Sequence, residues 1–305
     1  HGGFTRTVRA NDTHHFMLGN IEVTAIADID SFDVPLAFIF PGSDPGRLHH
    51  HRQWLEPQHM EGGHVRLAVR SWLLRDASRT ILIDTCVGND KYRSSRPEWH
   101  QRNDRSWLKA LEAAGVGPQD VDIVLCTHLH ADHVGWNTRL ENGRWVPTFP
   151  NARYITSEIE YHHWQEMLNG AQDPLTVGHG CLQDSVLPVV DAGQMDLVHD
   201  GRELSHGLTL DLSAGHTPGH LSLDVRRKGN RGIFCGDVLH SPIQIIEPDW
   251  SSAFCTDPGL ARSTRRTLME NIADTDSLLV PAHFRGSGRC RIKSRGNGFM
   301  PVLED

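Results

Sequence analysis

Histidine and aspartate crowd one short stretch of this chain. Thr127-His128-Leu129-His130-Ala131-Asp132-His133 sets four metal-competent side chains within six positions. The stretch follows the apolar run VDIVLC, which reads as a buried strand. His128 and His130 stand two apart at the end of that extended run, so their side chains can project to the same side. Asp132 and His133 come where the backbone turns toward a helix, and adjacent side chains there diverge. One loop can therefore offer two ligands to one metal and two to a neighbour. Imidazole and carboxylate suit zinc, and also manganese, iron or cobalt. Three further runs end in the same way: LTLDL leads into Ser213-Ala214-Gly215-His216-Thr217-Pro218-Gly219-His220, GIFC into Gly236-Asp237, and SLLV into Pro281-Ala282-His283-Phe284. Four runs that each deliver His or Asp beside Gly or Pro are hard to explain by packing.

The elements that must position these residues alternate between strand and helix. Ile21 to Ile29 (IEVTAIADI) has the apolar–polar alternation of a half-buried strand. Residues 40–64, rich in Pro, Gly and His, read as loop with a short helix near Gln53. VRLAVRSWLLRD and TILIDT restore the strand pattern from Val65. Asp104 to Ala114 reads as a helix with Asp104 as N-cap, Trp107, Leu108 and Leu111 on one face, and Gly115 at its end. ARYIT is a strand before a helix from Ser157 to Leu168. The pattern weakens past Gly170 until LTLDLSAGH, LSLDV and GIFCGD, and a last helix over residues 259–272 precedes SLLV. Strands and helices in alternation, with polar clusters at strand ends, give a layered α/β pattern.

Composition narrows the function. The 305 residues carry 30 Lys plus Arg against 38 Asp plus Glu, a formal charge of −8, which disfavours general binding of nucleic acid or anionic membrane. A hydrophobic fraction of 38% fits a globular chain with a large core, and no apolar run approaches the ~20 residues that span a bilayer. The opening His1-Gly-Gly-Phe-Thr-Arg6 has no apolar signal region. Six cysteines (Cys86, Cys126, Cys181, Cys235, Cys255 and Cys290) show no CxxC and are expected to stay reduced, so a cytoplasmic setting is expected. Of the 21 histidines, His162, His163 and His199 read as surface or hydrogen-bonded residues, and His49-His50-His51 as a solvated loop, with a lid over the site as the alternative.

The block HLHADH, followed in order by AGHTPGH, CGD and PAHF, resembles the metallo-β-lactamase-fold hydrolases over roughly Val65 to Phe284. The resemblance implies an α/β fold, an αββα sandwich of two mixed sheets flanked by helices, with a dinuclear site at one edge. It implies that His128, His130 and His216 hold one metal, that Asp132, His133 and His283 hold a second, and that Asp237 bridges the two. His220 falls outside that ligand set. The chain would be one such domain over residues 1–305, with residues 1–64 an N-terminal extension that could cover the active site. Details point within the superfamily. Asp237 stands where the commonest zinc β-lactamases lack a bridging Asp, and no cysteine takes their second-site position. His130 stands where flavodiiron oxidoreductases carry Glu, and the nuclease branches add basic or long insertions that this chain lacks. GHTPGHLSL and GDVLHSPIQ are most similar to the lactonase and small-ester branch. The best-known lactonases carry a tyrosine three residues past the bridging Asp, and this chain has His240 there.

The implied activity is hydrolysis of a small lactone or carboxylic ester. Two divalent ions, zinc foremost with Mn, Fe or Co as alternatives, would make hydroxide available at neutral pH. No GxSxG elbow offers a serine instead. Asp132 is a candidate proton shuttle and His240 a candidate donor to the leaving group or oxyanion. The expected partner is a small molecule, with neither nucleic acid nor membrane, and assembly as a homodimer stays open. Phosphotriester or thioester hydrolysis on the same site, persulfide oxygenation by one iron, and a silent binding protein are the alternatives. Trp54, Trp99, Trp250, Phe38 and Phe40 could line an apolar pocket, though each alone reads more readily as a core or surface aromatic. Arg93, Arg96 and Arg102 form a positive patch, read as a solvated charge run with a carboxylate receiver as the alternative.

Overall fold

The computed structural model describes residues 15–304. His1 to His14, and with them the opening His1–Arg6 judged to lack a signal region, lie outside the described residues. The first sheet gathers strands β1 (His15–Leu18), β2 (Ile21–Pro35), β3 (Met60–Glu61), β4 (His64–Arg75), β5 (Thr80–Ile83) and β6 (Ile123–Leu125). A separate hairpin, β7 (Thr138–Glu141) with β8 (Arg144–Pro147), interrupts it before β9 (Arg153–Ser157) and β10 (Met195–Val198) complete it. Its order is β1-β2-β4-β5-β6-β9-β10, with β3 beside β4. The second sheet runs in chain order through β11 (Arg202–Ser205), β12 (Leu208–Leu212), β13 (Leu221–Arg227), β14 (Asn230–Gly236), β15 (Leu278–Pro281), β16 (Cys290–Arg295) and β17 (Gly298–Leu303). Both sheets are mixed: β5, β6, β9 and β10 are parallel in the first, and β14 with β15 in the second.

The two-residue period of the strands explains the layers. Ile81 and Ile83 of β5, and Ile123 and Leu125 of β6, face a shared core with Leu210, Leu223 and Phe234 of the second sheet. Leu82 and Val124, one residue out of phase, face the opposite way, toward Trp107, Leu111 and Trp164. Those three side chains belong to helices α1 (Ser106–Ala113) and α2 (Glu158–Gly170). On the far side of the second sheet, Ile233, Cys235 and Leu279 meet Met269 and Ile272 of helix α3 (Pro258–Ile272). This is the metallo-β-lactamase αββα sandwich, and strands buried on both faces explain why their sequences run nearly apolar.

Several boundaries differ from the sequence reading. The helix expected from Asp104 starts at Ser106, because the Asp104 carboxylate accepts the Ser106 amide (2.8 Å) from outside the first turn. The strand expected over Ile21–Ile29 continues to Pro35, is mostly buried up to Asp28 and more open beyond, and shifts register between Ala27 and Ile29 and again before Phe32. The extension expected over residues 1–64 therefore divides. Residues 15–35 are structural strands of the first sheet, Met60–Glu61 add a short one beside β4, and only the segment between them, residues 36–59, stands apart from it. There Leu36, Ile39, Phe40, Leu48 and Leu55 pack with Ile243 and Trp250, and the Ala253 amide donates to Ile39 O (2.8 Å). All six cysteines are free thiols. Among the described residues no helix is long and apolar enough to cross a membrane.

Candidate metal centre

The four runs singled out from the sequence converge at one edge of the sandwich. After β6, Asp132 and His133 lie in a single helical turn (Ala131–Val134), with His128 and His130 in the loop before it. His216 and His220 follow β12, Asp237 follows β14, and His283 follows β15. His128, His133, His216, Asp237, His240 and His283 are all buried, whereas His130 and Asp132 are partly open to solvent. The opening of the site is therefore on the side of His130 and Asp132.

Two groups of donors share one carboxylate. His128 Nε2 lies 3.0 Å from His130 Nδ1, and His216 Nε2 lies 2.9 Å from the same atom. In the second group, Asp132 Oδ1 is 3.8 Å from His133 Nε2 and Asp132 Oδ2 is 3.7 Å from His283 Nε2. Asp237 reaches both. Its Oδ2 is 3.3 Å from His216 Nε2 and 3.4 Å from His133 Nε2, and its Oδ1 is 3.1 Å from His283 Nε2. The buried atoms His133 Nε2 and Asp237 Oδ1 have no hydrogen-bond partner, although buried polar atoms are normally satisfied. Orphaned donors aimed at one point, and an all-nitrogen and oxygen ligand set, fit two divalent cations of the zinc, manganese, iron or cobalt kind.

Electrostatics separates the two groups in the metal-free protein. Burial holds the imidazoles of His128, His130 and His216 below their usual range, His130 at about 4, so their ring nitrogens keep free lone pairs. Burial acts the same way on His133 and His283, but the carboxylates of Asp237 and Asp132 outweigh it and raise both. Burial opposes ionisation of Asp237, yet the raised imidazoles of His283 and His133 hold its carboxyl well below the ordinary carboxylate range.

Neighbouring groups that sequence reasoning missed aim the rings. Asp84, at the end of β5, accepts the Thr127 amide (2.8 Å) with Oδ1 and faces His133 Nδ1 (2.9 Å) with Oδ2. His283 Nδ1 lies 2.7 Å from Ala68 O, which leaves Nε2 pointing into the centre. Glu160 is fully buried; it accepts the Leu129 amide and the Trp164 indole with Oε1 and the Gly219 amide with Oε2, which ties the HLHADH loop to GHTPGH. His220 stays outside both donor groups and accepts the Asp237 amide with Nε2 (3.0 Å). Gly236 makes that approach feasible: its φ is +47°, and a Cβ there would lie 2.6 Å from His220 Nε2. The one available signal was Asp84 itself, an acidic residue closing the apolar run TILI. Asp84→Ala should leave His133 Nδ1 without its partner and weaken binding of a divalent cation by the Asp132, His133 and His283 group by ~10–100-fold. Competition against a chelator measures this, and an unchanged affinity would remove Asp84 from the centre.

His240 is buried beside the same carboxylate, with Nε2 3.3 Å from Asp237 Oδ2 and its ring stacked on His283 at 5.7 Å. Neither ring nitrogen is hydrogen-bonded, and burial keeps the ring neutral. The aromatic residues suggested for a pocket separate. Phe40 and Trp250 are core, Trp54 packs against that core and donates to His51 Nδ1, Trp99 is buried in the core behind the first sheet with its ring at right angles to that of His179, and Phe38 is exposed beside Phe254. His199 is exposed beside Glu158, as a surface residue would be.

The family model of the metallo-beta-lactamase superfamily matches residues 64–283. The hydroxyacylglutathione hydrolase of Aeromonas hydrophila is 30% identical over 132 residues, 43% of this chain and 38% of that protein. The N-acyl homoserine lactonase AttM of Azorhizobium caulinodans is 31% identical over 130 residues, 41% of this chain and 43% of that protein. The chain thus spans well under half the length of these relatives. Among solved structures, AidC, described as a dizinc quorum-quenching lactonase, superposes with a TM-score of 0.80 at 22% identity, covering 96% of this chain and 97% of that one. The hydrolase AbOPH gives 0.78 at 23%, covering 96% and 99%. At such identities the likeness is one of fold.

Proposed function

The chain belongs to the metallo-beta-lactamase superfamily, and from that premise we propose that it is a dinuclear metallohydrolase of small lactones or carboxylic esters. The observation that carries this reading is Asp237, whose two oxygens lie within 3.4 Å of imidazoles from both donor groups. His128, His130 and His216 would hold one cation and Asp132, His133 and His283 the other, with Asp237 shared. Divalent cations bound there supply hydroxide at neutral pH and polarise a carbonyl. The protein's own part is to orient and to move a proton. Asp84, Ala68 O and His220 fix the directions of His133, His283 and Asp237. The Asp132 carboxylate, 15% exposed and on the open side, is placed to carry a proton to the departing alkoxide. His240, neutral and with unpartnered ring nitrogens, is placed to donate one hydrogen bond to the developing oxyanion or leaving oxygen. A small-molecule substrate, rather than nucleic acid or membrane, suits the −8 charge, and six free thiols suit a cytoplasmic setting.

Turnover measured on matched panels of N-acyl lactones, alkyl esters, thioesters and phosphotriesters tests the reading. Lactone or ester hydrolysis should dominate. Preferred thioester cleavage, the activity named for the Aeromonas relative, would replace it, and oxygen consumption with one iron per chain would overturn it. His240→Ala should keep two metals per chain and lower turnover by roughly 10–1000-fold, the usual worth of one acid or oxyanion donor. The loss should be larger for alkyl than for nitrophenyl leaving groups. Loss of a metal instead would make His240 a ligand, a role its distance to His216 and Asp237 also permits.

A further inference from the structure

The loop of residues 89–105 carries four arginines, and the structure gives the three of the patch, Arg93, Arg96 and Arg102, different fates. Arg93 is fully buried and grips the Asp184 carboxylate with two hydrogen bonds, 2.6 and 2.8 Å. Arg102 pairs with buried Asp28 at 2.9 Å. Arg96, half-buried, has no carboxylate partner and no side-chain hydrogen bond among the described residues. Its guanidinium is nonetheless held in place: Cζ lies 5.3 Å from the Trp99 ring centroid and 5.6 Å from that of Phe254. The backbone around it is a closed turn, with the Arg96 amide donating to Arg93 O and Arg96 O accepting from Trp99 and His100. Buried Arg93 anchors that turn.

Both aromatic walls lead back to the metal centre. Phe254 packs against the His240 ring, with centroids 6.4 Å apart. Trp99 meets the His179 ring edge-on, also at 6.4 Å. His179 sits in a left-handed turn (φ +58°), lies 2.8 Å through Nδ1 from Ser95 Oγ, and is near enough to Asp132 to feel its charge. A fixed cation without a counter-charge thus stands at the rim of the centre, one ring away from His240. Two rings lie within 6 Å of its Cζ, and its N–H groups, bonded to no carboxylate or carbonyl among the described residues, are left for an anion. A guanidinium's planar fork suits a carboxylate, which it can take with two hydrogen bonds.

We propose that Arg96 is a specificity-determining residue that receives a second, non-reacting carboxylate of the substrate, so that the preferred substrates are lactones or half-esters of dicarboxylic acids. This rests on the ester-hydrolysis reading above. A charge-assisted pair at a partly desolvated site should favour the anionic substrate by ~10–100-fold over a neutral one of equal length.

The test uses the metal-loaded full chain and two probes of equal length, mono-4-nitrophenyl glutarate and 4-nitrophenyl valerate. Arg96→Met keeps the stem and its packing but removes the charge, and Arg96→Lys keeps the charge without the fork. The ratio of kcat/KM, glutarate ester over valerate ester, should fall at least ~10-fold in Arg96→Met and recover in part in Arg96→Lys. Calorimetric binding of glutarate against valerate should show the same ordering without turnover. Unchanged melting of each variant confirms that packing is intact. A ratio and a binding preference equal in wild type and Arg96→Met would overturn the proposal. If neither ester is cleaved yet glutarate binding still depends on Arg96, the hydrolase reading falls and the carboxylate site stands. Cleavage of both esters with no dependence on Arg96 gives the reverse.

Discussion

Asp237→Ala is expected to lower bound metal from two toward one per chain and to reduce turnover by roughly 10³-fold or more, while the fold persists. The expectation follows from position. One buried carboxylate lies against His216 on one side and His133 and His283 on the other, so its loss unlinks the two groups. It also leaves the raised imidazoles of His133 and His283 without their main counter-charge. Asp237 is held by backbone that other residues fix, through the His220 ring and the turn at Gly236, so truncating its side chain should not unravel β14. Metal analysis with circular dichroism and steady-state rates reads all three quantities. Two retained metals with a near-native rate would show that Asp237 does not bridge.

Exhaustive chelation should take turnover to the uncatalysed background, and zinc, manganese or cobalt should restore it. No side chain at the centre is a replacement nucleophile. The sequence has no GxSxG elbow, and Cys255, whose thiol lies 3.7 Å from His216 Nδ1, is pushed up to about 11 by burial and so stays protonated. Rates measured on a verified metal-free sample and after titration with each ion would decide this. Full activity without metal would defeat the mechanism.

Much of the centre is legible in the sequence because its donors sit in short blocks at strand ends. HLHADH, GHTPGH, CGD and PAHF each follow an apolar run, and the two-residue period of a strand says which side chains project together. The layered fold is legible for the same reason: runs such as TILI and VDIVL are apolar on both faces, as strands between two layers must be. The groups that aim the donors are a different matter. Asp84 meets Thr127 and His133, Glu160 meets Leu129 and Gly219, and Ala68 meets His283 across 31 to 215 residues of chain. Such pairs are set by how sheets and helices pack, and no local spacing announces them. The division of residues 1–64 was hidden likewise. The alternation in Ile21–Ile29 marks a strand, but only pairing of β2 with β4 makes it part of the sandwich. The arginine patch shows both limits at once. Spacing alone groups Arg93, Arg96 and Arg102, and only Asp184 and Asp28, brought in from elsewhere, leave Arg96 as the unpaired one.

Metal stoichiometry followed against turnover decides whether the two donor groups work as one dinuclear centre. Metal-free protein titrated with zinc, with bound metal counted by mass spectrometry and hydrolysis of an N-acyl homoserine lactone followed in parallel, should saturate at two ions per chain, with activity rising to its maximum only as the second site fills. Saturation at one ion per chain with full lactone turnover, or two bound ions with no hydrolysis of any lactone or ester, would contradict the account.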